Sequence, residues 1–143
     1  MEKRNLINGY YLLEQDLKEI LTFVEPVPNN YSTYSHRLYS LFIKACTEFE
    51  ANCKAILVEN NFIIPDYPNI NTYYKIHDYD QYKLINDNHI KLQVSHEIDL
   101  IPLNSWEEKK GPIWYGEYND VKHARVTEFN KARLENEPVK YFV

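Results

Sequence analysis

The chain has 143 residues, 44% hydrophobic and 26% charged, so composition predicts one packed domain over 1–143 and excludes a disordered chain. A net charge of −5, from 21 acids and 16 bases, excludes broad adhesion to a nucleic-acid backbone but not a compact site for one phosphate, and no DNA-specific signal is present. No apolar run approaches the roughly 18 residues of a membrane span, and Met1-Glu2-Lys3-Arg4-Asn5-Leu6 leads into polar sequence, so a cytoplasmic protein is expected.

The first helix is expected from about Gly9 to Val24. Leu13, Leu17, Ile20, Leu21 and Val24 recur at steps of three and four, and Pro26 and Pro28 end it. The second helix is the clearest element. Thr33 or Ser35 caps it, and Leu38, Leu41, Phe42, Ala45, Phe49, Cys53, Ile56 and Leu57 form one apolar stripe before Asn60-Asn61 and the Pro65 loop close it. Cys46 and Cys53 would stand about 10.5 Å apart along its axis. A disulfide needs Cα atoms within about 7 Å, so the two read as small core residues.

Residues 72–82 are expected to form a short helix with tyrosines on one side. His89-Ile90-Lys91-Leu92-Gln93-Val94 alternates polar and apolar, Ser95-His96-Glu97 suits a turn, and Ile98 and Leu100 alternate again up to Pro102. This pattern predicts a small β-hairpin inserted between helices, within about 84–102. The chain's thirteen tyrosines are scattered along it, the pattern of amphipathic core-edge packing rather than of a stacking surface.

The last helix is expected to start near Pro112, after Gly111, and to reach about Asn136 before Pro138 interrupts it. At about 100° per residue, Trp114, Tyr118, Val121, Arg125, Phe129 and Ala132 fall on one side. Asn119, His123, Val126 and Asn130 form a line on another, and Lys122 lies between. A charge on the core side is costly unless paired. Arg125 is therefore expected to be structural, with Glu48 and Glu50, beside the stripe of the second helix, as its partners.

The late run Asn119-x-x-Lys122-His123-x-Arg125 resembles the motif helix of HEPN domains, the higher eukaryotes and prokaryotes nucleotide-binding superfamily. The stretch from Cys46 to Ile56 resembles the long helix of bacterial HEPN-like proteins, and Trp114 and Phe129-Asn130-Lys131-Ala132 fit the same picture. The resemblance implies a mainly α, HEPN-like helical bundle carrying the hairpin. It also implies a homodimer with a cleft between paired motif helices, acting in bacterial defence or stress. Active members of that family are metal-independent ribonucleases in which an arginine precedes a histidine. By this resemblance His123 would be the general acid or base, suited by an ordinary pKa near about 6.5. Asn119 and Lys122 would line the phosphate, and Lys122 and Asn130 would bind ligand. The positions where the arginine would stand, Gly116, Glu117 and Tyr118, hold none, and lysine lacks its bidentate fork.

The expected function is therefore a non-catalytic dimeric module for interaction or for nucleotide or RNA binding. The alternative is a divergent metal-independent endoribonuclease using His123. No cofactor or metal is expected: His36, His77, His89 and His96 lie in separate elements without ligand spacing, and three glycines form no phosphate loop.

Overall fold

The computed structural model describes residues 3–80, 84–93 and 97–134 and is mainly helical. Helix α1 spans Lys3–Ile20 and helix α2 His36–Glu59. Two short elements follow, α3 at Ile70–Tyr73 running into a 3₁₀ turn at Tyr74–Tyr79, and α4 at Leu84–Asp87. Strands β1, Ile90–Gln93, and β2, Glu97–Leu100, pair antiparallel with Ile90 opposite Leu100. The expected turn at 95–96 and the segment after Pro138 lie outside the described residues, as does the end of the predicted 72–82 helix. The chain closes with α5, Ile113–His123, and α6, Arg125–Glu128, followed by a 3₁₀ turn at Phe129–Lys131. Among the described residues no helix is long and apolar enough to cross a membrane.

Helix α2 is the spine, and its ends are set by local chemistry. Ser35 Oγ accepts the Leu38 amide at 3.1 Å, taking one of the orphan donors of the first turn. At the other end Asn61 adopts φ 62°, Phe62 N–H donates to Leu57 O and Asn61 N–H to Val58 O. This is a Schellman closure, with asparagine in place of the usual glycine.

Two apolar clusters lie on different faces of α2. On one, Leu38, Leu41 and Ala45 pack with Leu13, Leu17 and Ile20 of α1 and with Leu134. Helix α1 runs antiparallel to α2, since Glu19 meets Arg37, Asp16 meets Lys44, and Gly9 lies against Glu48. A Cβ at Gly9 would come within 3.0 Å of the Glu48 carboxylate, so glycine permits this approach. Helix α1 begins and ends earlier than the apolar spacing predicts, because residues 21–23 turn toward Pro26.

On the other face Phe42, Cys46, Phe49, Cys53 and Leu57 pack against Trp106, Trp114, Tyr115, Tyr118 and Val121. The Trp114 indole donates to Pro102 O at 3.1 Å, which satisfies its one polar atom in a buried setting.

The last helix departs from expectation. It is not continuous to Asn136: Ala124, at φ −129° and ψ 45°, breaks it after His123. The cause lies in α2. Helix α5 runs antiparallel along it, with Tyr115 beside Glu50 and Tyr118 beside Phe42, and Arg125, just past the break, lies over Tyr39 in the first turns of α2. A straight helix would overshoot the spine. The break instead brings Phe129 against Tyr34, His36 and Tyr39 and buries Leu134 in the α1–α2 cluster.

Candidate functional site

The α2–α5 seam carries a cluster of partly buried polar groups around Glu50. Residues Tyr39, Cys46 and Glu50 of α2 are spaced so that they share one side of the helix, and α5 descends along them. Tyr115 Oη donates to Glu50 Oε1 at 2.6 Å, and Tyr118 Oη lies 3.5 Å from Glu50 Oε2. Tyr73 joins the same group. Burial, then the Glu50 carboxylate, raises the hydroxyls of Tyr73, Tyr115 and Tyr118 above the ordinary tyrosine range.

Lys122 stands one turn further, with Nζ 5.1 Å from the centre of the Tyr118 ring. Partial burial would lower its ammonium, but a hydrogen bond to Tyr118 and the Tyr118 and Glu50 charges more than offset this and hold it above the ordinary lysine range. Lys122 is therefore a stable positive charge whose ammonium is held at the seam by Tyr118 while the residue remains exposed.

Arg125 is also exposed, with its guanidinium 4.6 Å from the centre of the Tyr39 ring. The expected pairing of Arg125 with Glu48 or Glu50 is not formed. Glu50 receives the α5 tyrosines, Glu48 lies against α1, and the break at Ala124 turns Arg125 away from the core side. Stacking on Tyr39 replaces the ion pair.

The remaining predicted site residues lie at the same end of the molecule. Asn119 is half-buried, while His123 and Asn130 are exposed. The line expected through Asn119, His123, Val126 and Asn130 does not survive as one helical row, because the helix is interrupted between His123 and Val126 and Asn130 sits in a 3₁₀ turn. Among the described residues His123 has no hydrogen-bonded partner to orient its ring. The acids nearest this corner are occupied: Lys131 bridges Asp120 and Glu128, each at 2.8 Å.

Of the candidate residues, Lys122, His123 and Asn130 are exposed and Asn119 is partly so. Cavities of about 420 and 450 Å3 lie around the 3₁₀ turn at Tyr74–Tyr79, and neither is lined by Asn119, Lys122, His123 or Asn130. No cluster of His, Cys, Asp or Glu suited to a metal occurs among the described residues.

Sequence reasoning missed the rings that build this corner. Tyr34, His36 and Tyr39 surround Phe129, and the signal for them was faint, an aromatic spacing across the start of α2. Comparison of the chain with protein-family models, curated proteins and solved structures finds no match.

Proposed function

We propose that the chain is a non-catalytic, HEPN-like binding module with a small hairpin insertion, whose ligand is a nucleotide or single-stranded RNA held at the exposed end of α5. The observation that carries this reading is the placement of two cations, Lys122 and Arg125. Each sets its charged group over a tyrosine of the α2–α5 seam, and each is an exposed residue. This placement restricts the side chain, so less of its freedom is lost when a phosphate is bound. A protein of net charge −5 that gathers cations at one corner offers a local anion site rather than a general one.

Binding without turnover fits the rest of the corner. Tyr118 occupies one of the positions where a catalytic arginine would stand in an active member of the resembled family, and its side chain is buried. His123 has no hydrogen-bonded partner among the described residues to act as the third group that orients a catalytic base. Val126, 98% exposed, lies beside these groups and supports the same face as a homodimer contact.

The test is fluorescence anisotropy of a labelled single-stranded RNA in EDTA at several salt concentrations. Wild type binds, with affinity falling as salt rises, and Lys122→Ala weakens binding and lowers the log–log salt slope by about 1. Absence of binding at low salt, or an unchanged slope, overturns the reading. The dimer is tested by light scattering at high micromolar concentration, where a monomer removes that part of the proposal.

A further inference from the structure

We infer that the exposed ring of Tyr34, standing edge-on to Phe129 in a cluster with His36 and beside Arg125, is the shelf on which one nucleobase of a single-stranded RNA stacks. The inference rests on the reading just given and specifies how its ligand is recognised.

The cluster around it is assembled from three parts of the chain. Phe129 is at its centre, with ring centroids 5.9 Å from Tyr34, 4.8 Å from His36 and 5.5 Å from Tyr39. Tyr34 stands nearly perpendicular to Phe129, at 86°, and is 53% exposed. Its backbone is held by a bridge to Arg133, and Leu134 N–H donates to Thr33 O. The shelf is thus fixed at its base and open at its outer side, where His36 is also exposed.

Rings alone would read as core-edge packing. Their neighbour changes the reading. Arg125 lies over Tyr39, which touches the same Phe129, so a planar cation flanks the aromatic surface. A base and its adjoining phosphate need this pairing: a π-face for the one and a fork of N–H donors for the other. Lys131 pairs with both Asp120 and Glu128 and so offsets part of the negative charge at this corner. The break at Ala124 brings both parts together, since it carries Phe129 onto the start of α2 and turns Arg125 outward.

The experiment compares a labelled single-stranded adenylate decamer with an abasic ribose-phosphate backbone of the same length, by anisotropy. The proteins are the full chain, Tyr34→Ala, Tyr34→Leu and Arg125→Ala, each checked for helical circular dichroism. Wild type is expected to prefer the base-bearing strand by at least about 5-fold, the lower end of what one stacked base contributes. Tyr34→Ala and Tyr34→Leu lose that preference while abasic binding is retained, and Arg125→Ala weakens both strands. Equal affinity of wild type for the two strands overturns the shelf but leaves the anion site standing, as does a preference that survives both Tyr34 variants. Binding of neither strand overturns the underlying reading, and the shelf with it.

Discussion

Tyr115→Phe isolates a single hydrogen bond in the seam that positions the site. Phenylalanine preserves the buried ring and its edge contact with Tyr118, at 5.4 Å, so the change removes only the hydroxyl. That hydroxyl donates to the Glu50 carboxylate at 2.6 Å, a charge-assisted bond, while the second donor, Tyr118, is at 3.5 Å and compensates poorly. Hydrogen bonds to charged groups contribute about 1.5–3 kcal/mol, and the partner left behind here is a half-buried carboxylate. With a urea slope near about 2 kcal/mol/M, the midpoint should fall by about 0.7–1.5 M. Urea titration followed by tryptophan fluorescence measures it. A second variant, Glu50→Ala, removes the acceptor, and the double-mutant cycle with Tyr115→Phe gives the coupling. A midpoint unchanged within error, or additive losses in the cycle, would refute the view that Glu50 and Tyr115 hold α2 to α5.

Phe49 lies 5% exposed between Trp114 and Trp106, at 5.1 and 5.5 Å, so Phe49→Ala should cost about 3–5 kcal/mol, and an unchanged urea midpoint would contradict its place in the core. Tyr73, Tyr115 and Tyr118 keep their protons in the fold at a pH where unfolded tyrosines, near about 10, release theirs. The folded chain then binds more protons than the unfolded one, so stability falls as pH rises above about 10, and urea midpoints that stay level there would count against the buried hydroxyls. Burial, then Glu50, pushes the Cys46 thiol well up and that of Cys53 up to about 12. Both should resist iodoacetamide at about pH 8 until urea is added, and rapid alkylation of the native protein would show that they are accessible.

What could be read in the sequence follows from what each pattern measures. Helix α2 was legible because its stripe, its Ser35 cap and its Asn60-Asn61 close agree with one another. The last helix stops short of its sequence pattern because apolar spacing continues through Phe129 and Ala132 although the partner helix ends. Periodicity registers which residues face inward, not where the surface they face runs out. The misplacement of Arg125 follows from the same cause: a row computed on an unbroken helix turned it to the core, whereas the break at Ala124 lays it over Tyr39. Lys122 and His123 were singled out through a resemblance carried by about twenty residues, and the aromatic neighbours that give the corner its character come from the start of α2, more than eighty positions away, beyond any local pattern. Trp106, 1% exposed, gives no sequence signal for the same reason: the loop that carries it shows no period.

The most direct test of binding without turnover is incubation of end-labelled single-stranded RNA with the purified chain in EDTA, beside folded His123→Ala. Wild type is expected to retain the RNA in anisotropy and to return it intact on a denaturing gel, with His123→Ala behaving alike. Fragments produced by wild type and absent with His123→Ala would contradict it and make the corner of α5 a metal-independent nuclease.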